Sequence, residues 1–149
     1  MSRPPRKTTE SLFGRRSLFI SLGLGFTALA CVLGIWYLAG VAGLPVETQR
    51  TLSFVTLIVS NLAIILSTRS WNSGLIASFA ARNPAVPWVV GGAAAFLSFI
   101  VALPFLRELF HFGEPGGAWI LVACACGLAS IAWFEGLKLV ARLRGKSLL

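Results

Sequence analysis

The 149-residue sequence contains no aspartate, and all five of its acids are glutamates: Glu10, Glu47, Glu108, Glu114 and Glu135. An aspartyl-phosphate intermediate and a Ser-His-Asp triad are therefore excluded within this polypeptide. Histidine occurs once, as His111, so no histidine-based metal site can form. The three cysteines are Cys31, Cys124 and Cys126, too few for a disulfide-stapled secreted module. On a helix, a Cys-x-Cys pair directs its thiols about 200° apart, which disfavours bridging or joint ligation. The thiols read instead as small apolar fillers. A Gly-x-x-x-x-Gly-Lys phosphate loop is also missing. No catalytic residue, cofactor-binding residue or cofactor is expected.

Charge is scarce as well. Charged residues make up 12% and apolar residues 56%, against about 25% and about 45–50% in soluble domains. The mean hydropathy is +0.82. These values exclude an ordinary cytosolic enzyme and a disordered tail, and the length favours one domain. They predict an all-α integral membrane protein.

About 20 apolar residues cross the hydrocarbon layer as a helix, and few charges are tolerated inside it, so gaps between charges delimit the spans. Arg16 and Glu47 are separated by 30 uncharged residues, Arg50 and Arg69 by 18, Arg82 and Arg107 by 24, and Glu114 and Glu135 by 20. The gaps predict a four-helix transmembrane bundle over residues 18–140, with helices at about 18–40, 51–67, 87–106 and 118–140. A basic segment, 1–17, precedes it and a basic tail, 141–149, follows. Trp71 to Ala81 reads as an interfacial loop or short helix. Pro104 is expected to kink or end the third helix near its outer end.

The basic residues set the orientation. Five precede the first helix, Arg69 and Arg82 lie between the second and third, and Lys138, Arg142, Arg144 and Lys146 close the chain. Eleven basic residues thus fall on one side, against Arg50 and Arg107 on the other. The positive-inside rule then places both termini in the cytoplasm. The formal charge of +8 becomes a topology signal, and no nucleic-acid partner is implied; the partner is the lipid bilayer. Arg15-Arg16 before an apolar run mimics an export signal, but the uncharged run of 30 residues is too long for a signal core of about 7–15.

Membrane helices associate through small residues and interhelical hydrogen bonds. Small residues recur at helical spacing as Gly23, Thr27, Ala30 and Gly34, as Gly91, Ala95, Ser98 and Ala102, and as Ala125, Ala129, Ala132 and Gly136. The second helix differs, with Ser53, Thr56 and Ser60 on one face and Asn61 beside it. Interhelical bonding is the ordinary reading of these groups. The sharper reading makes Ser60 and Asn61 candidates for a polar ion path. Glu135 is the one acid at membrane depth and joins them as a candidate, although Lys138 at i+3 offers it a local partner. These three are the only metal or ion candidates.

Several local patterns together resemble one family. Met1-Ser2-Arg3-Pro4-Pro5-Arg6 with Leu12-Phe13 is similar to the segment after the sixth membrane helix of P-type cation-transporting ATPases. Arg50-Thr51-Leu52-Ser53-Phe54-Val55-Thr56-Leu57, running on to Asn61-Leu62 and Thr68-Arg69-Ser70, resembles their eighth helix. Asn83-Pro84 and Leu103-Pro104-Phe105-Leu106-Arg107 resemble the ninth, and Trp119 to Glu135 with Lys138 the tenth. The resemblance implies the seventh to tenth helices, a bundle bracing the ion-transporting helices of a pump in the plasma membrane. The remaining helices and catalytic domains of such a pump would be its partners. The family's Asp-Lys-Thr-Gly phosphorylation motif does not occur in these 149 residues. The resemblance therefore implies a non-catalytic region, not an enzyme by itself. Asn61 lies near where sodium-pump-like members carry an acid, so direct cation ligation is not implied. Met1 coincides with an internal methionine of the family pattern, as expected of a fragment. The alternative is a stand-alone four-span transporter working as an oligomer, and a membrane thiol or quinone oxidoreductase is a third class.

Overall fold

The computed structural model describes residues 15–69 and 85–143. Most of the basic N-terminal segment, the Trp71–Ala81 stretch, Asn83-Pro84 and the end of the tail lie outside them. The described residues form helices and connecting turns, with no strand among them. Helix α1 spans Arg15–Val41, α2 Val46–Arg69, α3 Ala85–Ala102, α4 Pro104–Phe110, α5 Gly117–Ala129 and α6 Ala132–Leu143. Among the described residues, three helical stretches are long and apolar enough to cross a membrane: Leu18–Val41, Val46–Thr68 and Gly117–Val140. A bent pair, Pro87–Ala102 with Pro104–Phe110, supplies a fourth if counted as one span.

Local chemistry accounts for each break. After α1, Gly43 adopts φ +74, the Leu44 N–H donates to Ala39 O, and the Gly43 N–H donates to Gly40 O. This is a Schellman closure, which favours a glycine in the left-handed conformation. Leu44 then packs on the cluster containing Ala39. The following α2 runs back antiparallel to α1. The α3–α4 break has a different cause. Proline restricts its predecessor to extended backbone, and Leu103 sits at φ −85, ψ 117. The chain turns by 87° there, so the helix expected at 87–106 ends at Ala102 and the residues beyond Pro104 point elsewhere. At the far end of α4, His111 takes the left-handed position, with φ 50. The Phe112 N–H bonds Arg107 O and the His111 N–H bonds Glu108 O.

The core is a three-helix assembly of α1, α2 and the α5–α6 rod, and α3 packs chiefly on α2. Two apolar clusters fill its two ends. Ile20, Leu24, Ala63, Ile131 and Phe134 form one; Ile35, Ala39, Leu52, Val55 and Ala123 form the other. Lipid would solvate these side chains as well as protein does, so close packing and hydrogen bonds, rather than apolar burial, must hold the helices together. Gly127 shows how close they come. A Cβ there would lie 2.8 Å from Val59 Cβ and 3.0 Å from Thr56 O.

The small-residue stripes face differently from the expectation. Ala125, Ala129, Ala132 and Gly136 are all exposed, while Ala123, Gly127, Ser130, Phe134 and Lys138 point inward. In α3, Gly91, Ala95, Ser98 and Ala102 are exposed, and Leu97 and Ile100 make the inward contact. On α1, Gly23 does meet Trp133 and Thr27 does meet α5, but Ala30 is exposed. Small residues occur on both sides of the α5–α6 rod, and spacing alone cannot choose between them. The choice falls to the side whose carbonyls meet the hydroxyls of α2.

Candidate functional site

The interior of the assembly is a seam of polar contacts along three helices. On α2, Thr56 Oγ1 donates to Ala123 O at 3.2 Å and Ser60 Oγ to Gly127 O at 3.4 Å. Both partners lie 67 positions further along the chain. Two i,i+4 hydroxyls therefore meet two i,i+4 carbonyls, fixing a parallel register between α2 and α5. Thr51 Oγ1 extends the row toward the loop end, 3.0 Å from Glu47 O on its own helix and 3.1 Å from Gly113 O.

The α1–α5 contact runs antiparallel. Thr27 Oγ1 lies 2.9 Å from Ser130 O and 3.0 Å from Gly23 O, and it accepts the Trp133 indole N–H at 3.3 Å. One turn further along α1, Cys126 Sγ donates to Cys31 O at 3.5 Å. Ser130 marks the junction of α5 and α6, where the Ile131 N–H bonds Leu128 O instead of continuing the α-helical pattern. Ser130 Oγ turns back onto Gly127 O at 2.7 Å, the kind of local bond that competes with helix propagation. Thr27 takes up the Ser130 carbonyl displaced at the break.

At the end where α2 and α6 finish, three side chains close a network. Lys138 is 2% exposed, and its ammonium donates to Ser67 Oγ at 2.9 Å, to Ser67 O, and to Glu135 Oε1 at 3.0 Å. Ser67 Oγ in turn donates to Glu135 Oε1. The ammonium also lies 4.7 Å from the centroid of the Phe134 ring. All three ammonium protons have acceptors, as a charge buried this deeply requires. The network bolts α2 to α6.

The opposite end carries an exposed network. Arg107 Nη1 pairs with Glu114 Oε1, and Arg50 Nη1 donates to His111 O at 3.1 Å. Hydrogen bonding and the positive charge of Arg107 hold the Glu114 carboxyl below its ordinary value. An open pocket of about 410 Å³ lies here, lined by Glu47, Arg107, Glu108, His111 and Glu114 among others. Among the described residues, no three His, Cys, Asp or Glu side chains are grouped to hold a metal ion.

The three ion-path candidates stand apart from one another. Ser60 is fully buried and bonded to the α5 backbone. Its neighbour Asn61 is exposed on the outer side of α2. Glu135 belongs to the Ser67–Lys138 network, with its side chain 24% exposed. Sequence reasoning found the Glu135–Lys138 pair because both residues lie on one helix. It missed Ser67, and it placed Thr27 in a packing stripe without its hydrogen-bond partner; the partners of both are set by interhelical register, and only polarity within an apolar run could have flagged them.

A family model described as "Cation transporting ATPase, C-terminus" matches residues 1–140. No curated protein matches the chain significantly.

Proposed function

As the chain belongs to the family of C-terminal regions of cation-transporting ATPases, we propose that it is a non-catalytic membrane domain that braces the ion-transporting helices of a P-type pump. It sits in the plasma membrane as four spans, with the α3–α4 pair as the third and both termini in the cytoplasm. The distribution of Lys and Arg supports that orientation. Phosphorylation and nucleotide binding are supplied by other parts of the pump, since no aspartate is available here. Ser60 and Glu135 serve the bundle's own cohesion, and Asn61 faces the neighbouring pump helices.

The observation that carries this reading is the exposed small-residue faces. Gly91, Ala95, Ser98 and Ala102 on α3, and Ala125, Ala129, Ala132 and Gly136 on α5–α6, point away from the bundle. Such residues let further helices approach closely, and a bundle made to pack against other membrane helices must leave them free. The test is complementation. A cation-transporting ATPase lacking its C-terminal membrane region is produced with and without this chain, and cation-dependent ATP hydrolysis is measured in membranes. Recovery only when the chain is present supports bracing. No recovery, with both polypeptides inserted in the membrane, contradicts it.

A further inference from the structure

The Lys138 ammonium is enclosed as a bound cation would be. Ser67 supplies its hydroxyl oxygen at 2.9 Å and its backbone carbonyl oxygen, and Glu135 supplies a carboxylate oxygen at 3.0 Å. The Phe134 ring covers a further side, with its centroid 4.7 Å from the nitrogen. These walls come from two helices, Ser67 from the end of α2 and Phe134 and Glu135 from the first turn of α6. Ser67 and Phe134 are themselves fully buried, so packing holds them in place. Ser67 Oγ also donates to Glu135 Oε1, which ties the two side chains together without the lysine.

The donor set defines the class of cation. Calcium takes about 6–8 oxygen ligands, whereas three oxygens converge here, and one of them is a carboxylate oxygen. An ammonium has three protons to donate and needs three acceptors. An aromatic face attracts a cation held over it, and one carboxylate balances one positive charge. We infer that Ser67, Phe134 and Glu135 form a binding site for a primary ammonium ion, and that Lys138 fills it as a tethered occupant. The flexible alkyl stem of Lys138 delivers the charge, and the other three residues recognise it. In the native chain the site is closed to free cations. It opens to a free alkylammonium when the tether is cut.

The test cuts the tether in the full chain. Lys138→Ala keeps Cβ and removes a fragment the size of propylammonium. Thermal unfolding in maltoside micelles is followed by tryptophan fluorescence as propylammonium chloride is added. Tetramethylammonium chloride at equal ionic strength is the control, because it carries the charge without a proton to donate. Propylammonium should raise the midpoint of Lys138→Ala by about 2–4 °C and then saturate, and tetramethylammonium should not. The native chain and Lys138→Ala/Glu135→Gln should respond to neither salt. If Lys138→Ala is unfolded without additive, recovery of folded protein on adding propylammonium reads the same binding. No response or recovery with propylammonium, an equal response to both salts, or a response that persists in Lys138→Ala/Glu135→Gln would overturn the inference.

Discussion

Replacing Gly127 with alanine probes the close approach of α2 and α5. The added Cβ would sit 2.8 Å from Val59 Cβ and Cγ1 and 3.0 Å from Thr56 O, whereas carbon atoms in contact settle at about 3.5–4.0 Å. Helices α2 and α5 must therefore separate by up to about 1 Å. Overpacking of this kind costs about 1–3 kcal/mol. Separation also stretches Ser60 Oγ–Gly127 O, already 3.4 Å, and Thr56 Oγ1–Ala123 O at 3.2 Å. Losing both adds about 1 kcal/mol at the average value for membrane hydrogen bonds. Alanine's better helix propensity returns about 0.8–1 kcal/mol. The net expectation is a loss of about 1–3 kcal/mol. The assay is unfolding in mixed micelles with increasing SDS, followed by tryptophan fluorescence. Gly34→Ala is the control, since nothing lies within 4 Å of a Cβ there, and it should be neutral or slightly stabilising. Adding Val59→Ala should recover part of the Gly127→Ala loss, with a coupling of about 1 kcal/mol. If Gly127→Ala matched Gly34→Ala, the close α2–α5 contact would be refuted.

Three further outcomes follow from the polar contacts inside the bundle and at its exposed end. Lys138→Met should destabilise the chain by about 1–3 kcal/mol in the same assay, below the 3–5 kcal/mol typical of broken buried pairs, because Glu135 is 24% exposed. Adding Glu135→Gln should recover part of that loss. Thr27→Val removes the bond to Ser130 O and the acceptor of the Trp133 N–H. It should cost about 0.6–1.7 kcal/mol and shift tryptophan emission, a shift that Thr27→Ser should not produce. The Glu114 carboxyl titrates below its ordinary value because of Arg107, so the pair's contribution is present above the usual carboxylate range and fades as pH falls through the folded-state value. The acid side of the unfolding profile should flatten in Glu114→Gln and with added salt.

Much of the helix layout was legible because charge and lipid exclude one another. The gaps between Arg16 and Glu47 and between Arg50 and Arg69 locate α1 and α2 without any packing information. Pro104 likewise announces the turn after Ala102, since its ring restricts Leu103 whatever surrounds it. The junction at Ser130 carries no proline or glycine and was invisible. It depends on a hydroxyl from α1 donating to the displaced carbonyl, a contact across 103 positions. The inward face of α5–α6 was hidden for a related reason. Alanine and glycine occupy both sides of the rod, and only the hydroxyls of Thr56 and Ser60, in register with Ala123 and Gly127, decide between them. Interactions within one helix can be read from spacing, as with Glu135 and Lys138. Those between helices need the register, which no local pattern encodes.

The central claim is that this chain supports a pump without transporting ions itself. The most direct measurement is cation and proton flux through proteoliposomes containing the purified chain alone, across an imposed gradient and with ATP present. The account predicts flux and ATP hydrolysis no higher than in protein-free vesicles, with Glu135→Gln changing neither. Flux above that background that disappears in Glu135→Gln would contradict it and make Glu135 the coupling acid of a self-contained transporter.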